Sequence, residues 1–211
     1  MKLVLFGATG MVGSRIATEA SARGHHVTAV SRSGQSPIPG VTATAADAAD
    51  PAKVAALAAG ADAVASACVP PRDGSDPRKP FLALNESLVR GTREARVARL
   101  LVVGGAGSLE VSPGRALADQ PGFPAAFLPE ARAHRDVLAF YRTVDDLDWT
   151  CLSPAAEISP GARTRHYRLG GDELLTDEHG NSRISAEDYA VAFVDELEQG
   201  AHPRARISVA Y

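Results

Sequence analysis

"LVLFGATGMVGSRIATEASARGHHVTAVSRS", running from Leu3 to Ser33, decides the fold. Gly7, Gly10 and Gly13 stand three residues apart, between a short aliphatic run and a stretch whose apolar residues recur at helical spacing. A second β-branched run, "HVTAV", begins at His26. This order reads as strand, tight turn, helix, strand, the opening of a parallel sheet with crossover helices. A turn of this kind presents the backbone N–H groups of residues 9–12 and the positive end of a helix dipole to an anion.

The remaining chain repeats the alternation. Short aliphatic runs mark strands at 2–6, 26–30, 41–45, 62–67, 100–103, 149–152 and 206–210, and helical patterns fill 11–23, 51–59, 81–98, 129–145 and 186–199. Asp50 before Pro51 reads as an N-cap followed by proline at the first helical position, and Gly24 and Gly60 follow helices where a left-handed residue is needed. Ser185 with Asp188 three residues later is a capping box with Asp in place of the usual Glu or Gln. Ala186, Tyr189, Ala190, Phe193, Val194 and Leu197 then form one apolar stripe that should pack on the sheet. Two Pro- and Gly-rich stretches, 69–80 and 104–127, follow strands and fit no regular element. Loops at the carboxyl ends of parallel strands are where such sheets bind ligands.

The chain has 211 residues, 45 % of them hydrophobic, enough for one packed domain over 1–211. Its formal net charge of -3 gives no long-range attraction for a polyanion, which argues against nucleic acid as a partner. The apolar run of "MKLVLF" stops at Gly7, short of what a signal peptide needs, and no stretch is apolar for the length of a membrane span. A cytoplasmic protein acting on small molecules, as a monomer or homodimer and without a membrane partner, is the expectation. Cys68 and Cys151, at a strand end and within a strand, lack metal-ligand spacing, and the six histidines are scattered, so no metal site is expected.

Glycine triplets alone also serve plain turns. Here the loop follows a strand, opens a helix and leads to a second strand about 20 residues on, the context of a dinucleotide-binding, Rossmann-like doubly wound sheet. The end of the second strand discriminates between cofactors. An NAD site commonly places Asp or Glu there for the ribose hydroxyls, whereas Arg pairs with a 2′-phosphate. This chain has Ser31, Arg32 and Ser33, which favours NADPH over NADH, with Arg32 as a solvated loop residue the alternative. Asp47 can accept from an adenine amino group or cap a turn.

With these segments, "LLVVGGAGSL", "LDWTCLSPAAEISPGARTRHYRLGGDELLTDEHGNSRISAEDYAVAFVDELE" and "RARISVAY", the chain resembles the atypical short-chain dehydrogenase/reductase superfamily, in particular its compact NAD(P)H-binding branch of NADH-flavin-reductase-like proteins. The resemblance runs nearly end to end and implies a small C-terminal extension on the substrate side. It places Gly7, Thr9, Gly10, Met11, Val12 and Gly13 around a pyrophosphate, Ser31 and Arg32 at the adenosine 2′ position, and Asp47 at the adenine. Ala67 and Cys68 fall along the nicotinamide ribose, Gly105 and Ala106 by the nicotinamide ring, and Pro154 with Ala155 by its carboxamide.

One departure bears on catalysis. The Tyr-x-x-x-Lys pair by which dehydrogenases of the superfamily move a hydroxyl proton is missing, with Leu128 and Arg132 at the corresponding positions. Hydride transfer to a flavin (FMN or FAD as substrate) survives this loss, because stacked rings need positioning more than a built-in acid. A non-catalytic NADP(H)-binding redox sensor is the alternative the same loss allows, and an epimerase is disfavoured by it. Ser108 can bond the acceptor or nicotinamide ribose, or hold its own loop. Phe123 and Phe127 can cover a flat acceptor or anchor their loop. Arg163, Arg165 and Arg168 can meet an acceptor phosphate, although a solvated surface is the better reading. His134, alone on a helix, reads as a packed or surface residue rather than an acid.

Overall fold

A computed structural model describes residues 1–35 and 38–211. The strands are β1 (Lys2–Phe6), β2 (His26–Ser31), β3 (Thr42–Ala45), β4 (Ala63–Ser66), β5 (Arg99–Val103), β6 (Glu110–Ser112), β7 (Arg115–Ala116), β8 (Asp148–Ser153), β9 (Glu157–Ser159), β10 (Arg168–Gly170), β11 (Arg183–Ser185) and β12 (Ala205–Ala210). The helices are α1 (Met11–Ala22), α2 (Pro51–Ala58), α3 (Arg78–Glu94), α4 (Leu128–Tyr141) and α5 (Ala186–Gln199). Eight strands form one sheet in the order β3-β2-β1-β4-β5-β8-β12-β10, with β10 alone antiparallel. The order reverses between β1 and β4, the topological switch point where doubly wound sheets bind ligands.

The strands are buried on both faces because helices cover both. Leu3, Leu5, Ala65, Leu101 and Ile207 pack with α1 and α5 on one side, and Val4, Phe6, Val64, Leu100 and Trp149 with α2, α3 and α4 on the other. The predicted α5 stripe is buried throughout, and its Tyr189 hydroxyl donates to the Leu152 carbonyl at 2.6 Å, pinning α5 to β8. Asp50 caps α2 by accepting from the N–H groups of Ala52 and Lys53, and Gly24 and Gly60 both have positive φ.

Four differences from the sequence reading have physical causes. Helix α3 begins three residues early, at Arg78, where Asp76 Oδ1 accepts from its N–H at 3.1 Å, and it ends early at Glu94. Residues 104–127 carry a small β6–β7 hairpin and short 3-10 turns, too brief to show a period. After β8 the chain makes an excursion of its own, in which β9 pairs with β11 in a separate two-stranded sheet and β10 returns to the edge of the main one. Finally, Ser185 does cap α5, accepting from the Asp188 N–H at 2.9 Å. The Asp188 carboxylate does not close the box. It accepts instead from the Thr164 hydroxyl (2.6 Å), the Arg165 N–H (2.7 Å) and the Tyr211 hydroxyl (2.8 Å), tying the excursion and the last residue to α5.

Candidate functional site

The loop after β1 is held from three sides. The Gly7 N–H donates to the Val30 carbonyl at 3.0 Å, which joins the ends of β1 and β2. Gly7 has φ +75°, and a β-carbon there would lie 2.6 Å from the Ala67 carbonyl carbon and 2.7 Å from the Cys68 nitrogen, so the end of β4 needs a glycine beside it. Gly13 faces inward, where a β-carbon would come within 2.1 Å of the Gly7 oxygen.

Gly10 differs from both. A β-carbon on it would meet only the Gly7 oxygen, at 3.6 Å. It is the N-cap of α1, no side chain caps this helix, and no acidic residue lies in its first turn. The first N–H groups of an α-helix have no intrahelical partner and carry the positive end of its dipole. Thr9, Gly10 and Met11 are exposed and Val12 is half-buried. Open space over an uncapped helix start at the switch point suits a pyrophosphate, so the residues present fit a dinucleotide.

The residues expected at the adenosine lie next along the sheet. Ser31 is buried and bonds its own turn, accepting from the Gly34 N–H at 3.1 Å and donating to the Gln35 carbonyl at 3.3 Å. Its hydroxyl therefore shapes the turn that presents Arg32. The Arg32 side chain is exposed and has no carboxylate partner among the described residues. Asp47 caps a turn, with Oδ1 accepting from the Ala49 N–H at 2.9 Å. Burial pushes the Cys68 thiol up, and the Ser66 hydroxyl, Asp47 and Arg32 act on it with smaller and partly opposing effects, which puts both charged groups within electrostatic reach of the end of β4.

Toward the other end of the proposed cofactor path stand the "GGAGSL" residues, and their glycines are packing requirements. A β-carbon would meet Cys151 Sγ at 2.7 Å from Gly104, the His134 ring at 2.8 Å from Gly105, and the Ala131 β-carbon at 2.5 Å from Gly107. These three glycines let the loop after β5 lie directly on β8 and α4. Ala106 is half-buried, and Pro154 and Ala155 are buried just past β8, at the same end of the sheet.

The Ser108 hydroxyl turns to the protein: Arg206 Nη1 lies 3.4 Å from it, and the buried Arg206 is itself held by Asp172 at 2.7 Å. Phe123 is half-buried, whereas Phe127 is 60 % exposed just before α4. Arg163 does not wait for a phosphate, since its guanidinium holds both oxygens of Glu19 at 2.7 and 2.8 Å. Arg168 likewise donates to the carbonyls of Thr176 (2.8 Å) and Tyr211. A groove of about 650 Å³ beside this segment, lined among others by Tyr167, Leu169, Val191 and Tyr211, includes none of residues 7–13, 31–32 or 104–108.

His134, which the sequence reads as a packed or surface residue rather than an acid, is packed. The residue is only 9 % exposed, and its ring stands edge-on to Phe81 with centroids 4.9 Å apart and lies on the Gly105 backbone. Burial pushes its pKa down to about 4, so the imidazole is neutral near pH 7. One turn earlier, Glu130 takes the Arg72 guanidinium in a two-pronged pair at 3.0 and 3.0 Å, which fixes the loop after β4 against α4. Periodicity could place His134 on the buried face of α4, but nothing local showed that Gly105 would lie beneath it.

No helix among the described residues is long and apolar enough to cross a membrane, and no group of three or more His, Cys, Asp or Glu side chains among them could hold a metal ion. A sequence profile of NAD(P)H-binding proteins matches residues 7–199. Among solved structures, a "putative exported protein" of Burkholderia pseudomallei is 54 % identical, with all of both chains covered and a TM-score of 0.91. A "putative epimerase" of Bacteroides thetaiotaomicron is 40 % identical over all of this chain and 96 % of its own, with a TM-score of 0.90. A "putative NADH-flavin reductase" of Streptococcus pneumoniae is 35 % identical over all of this chain and 99 % of its own, with a TM-score of 0.85. The chain belongs to the NAD(P)H-binding family.

Proposed function

We propose that this protein is an NADPH-dependent reductase that passes hydride to a flavin or a similar planar conjugated acceptor. The observation that carries the reading is the uncapped start of α1 under the open space at Gly10, set at the switch point of the sheet. Bound there, the reduced cofactor supplies a hydride, and the acceptor takes up that hydride together with one proton from water. The chain itself binds and orients: the helix start holds the pyrophosphate, Arg32 pairs with a 2′-phosphate, and the Gly105–Ala106 backbone supports the nicotinamide end.

The likeness to the streptococcal reductase supports the flavin acceptor, and so does the missing acid–base pair, since Leu128 is apolar and Arg132 is exposed at the start of α4. That same loss speaks against carrying the epimerase name of the Bacteroides relative to this chain. Ser108, engaged by Arg206, holds its loop in this reading, and Phe127 covers the acceptor while Phe123 anchors the loop. Both thiols are free, in keeping with a reducing, cytoplasmic location.

Steady-state oxidation of NADPH tests the proposal, with FMN and FAD expected to accelerate it and to leave as free reduced flavin. If the protein binds NADPH while no flavin, quinone or tetrapyrrole accelerates its oxidation, the reading fails. A sensor that binds without turnover then takes its place, and it must bind the oxidised and reduced cofactors with different affinities, since equal affinity shifts no equilibrium.

A further inference from the structure

We propose that His134 donates a hydrogen bond to the acceptor, at the carbonyl oxygen or ring nitrogen where negative charge collects during reduction. The inference rests on the reductase reading and adds a named contact and a narrower substrate class to it: flat, conjugated molecules that carry such an atom at one edge.

His134 is only 9 % exposed, yet neither ring nitrogen has a hydrogen-bond partner among the described residues. Its neighbours explain why. Phe81 offers only a ring, Gly105 offers the space above its Cα, and Ala131 and Val137 on the same helix are apolar. A buried polar group without a partner costs about 1–3 kcal/mol, so such groups mark places where something else bonds them. The side-chain atoms sealed in without partners are the hydroxyls of Ser87, Thr92 and Ser208 and Nε of Arg99. The His134 nitrogens are not among them, so they are not sealed off from the protein surface.

The protonation state suits a donor. A neutral imidazole carries one N–H and one acceptor nitrogen, and it can polarise a carbonyl without surrendering its proton. Glu130 on α4 and Arg72 on the loop after β4 act on the ring in opposite directions, and because they pair with each other, neither drives it to ionise near pH 7. His134 keeps its N–H through the reaction, and the proton that completes the reduced acceptor comes from water.

Phe127 defines the rest of the class. It precedes His134 by seven residues, as the N-cap residue of α4, and it is 60 % exposed. An exposed aromatic at the start of the helix that carries a buried donor accommodates a fused-ring body with a polar edge, as in an isoalloxazine or a quinone. A short aliphatic aldehyde offers no surface for Phe127 to cover.

His134→Phe and His134→Asn test the contact, the first keeping an aromatic against Phe81 and the second restoring an N–H donor. Three measurements are needed: NADPH affinity, FMN affinity of the NADP⁺-saturated protein by flavin fluorescence, and turnover with FMN. His134→Phe should bind NADPH like the wild type but lose about tenfold in FMN affinity and in turnover, the value of one hydrogen bond, with His134→Asn recovering most of both. A His134→Phe protein that matches the wild type in FMN affinity and turnover overturns the proposal, and so does a wild type that takes up no FMN. Failure of the reductase reading looks different: FMN binds through His134, yet NADPH is not oxidised.

Discussion

A β-carbon on Gly13 would stand 2.1 Å from the carbonyl oxygen of Gly7, so the first turn of α1 and the end of β1 touch backbone to backbone. Gly10, midway between them, has open space above it. The three glycines therefore do two jobs, and substitutions separate them. Gly13→Ala should destabilise the fold by ~3 kcal/mol, since backbone cannot yield as a flexible side chain does. Gly10→Ala should change the melting temperature little but weaken NADPH binding at least ~tenfold by filling the cradle. Thermal denaturation beside an NADPH titration reads both effects, and a Gly10→Ala protein that binds normally would contradict the pyrophosphate assignment.

Under the proposed function, Arg32 sets the preference between cofactors. Removal of a guanidinium from a phosphate costs about 1.5–3 kcal/mol, so Arg32→Ala should weaken NADPH about 10- to 100-fold and leave NADH nearly unchanged. Parallel titrations with the two cofactors decide it. An equal loss for both would make Arg32 a general solvated residue.

His134 predicts an acid sensitivity. Its folded pKa of about 4 lies below the ordinary 6.5, so between those values the unfolded chain binds more protons than the folded one. Stability is then fully present above about pH 6.5, falls as pH drops through the window and reaches its floor near pH 4, a swing of order 3 kcal/mol. Denaturant melts at pH 7, 5.5 and 4.5 should show the wild type losing more stability than His134→Phe. Parallel losses in the two proteins would place the imidazole in water.

Glu196 offers a control far from the cofactor. Only 3 % exposed, its carboxylate takes Arg99 at 2.6 Å and His202 Nδ1 at 2.7 Å, at the amino ends of β5 and β12. Glu196→Ala strands the Arg99 charge and should cost ~3–5 kcal/mol. The folded variant should still bind NADPH as the wild type does, because the ion pair lies at the opposite end of the strands from Gly7 and Gly105. A selective loss of binding without loss of stability would refute that separation.

The sequence by itself determined the doubly wound sheet and the glycine turn that opens it, because each depends on local features: strand and helix periods, caps such as Asp50, and glycines at fixed spacing beside a strand end. It missed β9, β10 and β11, which are three residues long and carry no period. Only the tertiary structure decided what the long-range partners do. Arg163 reaches Glu19 across 144 positions, Arg206 reaches Ser108 across 98, and Asp188 turns from its own helix to Thr164, Arg165 and Tyr211. His134 shows the reason most plainly. Whether its ring is a surface group, a satisfied core group or a donor awaiting a ligand depends on Phe81 and Gly105, which chain folding brings to it from 53 and 29 residues away.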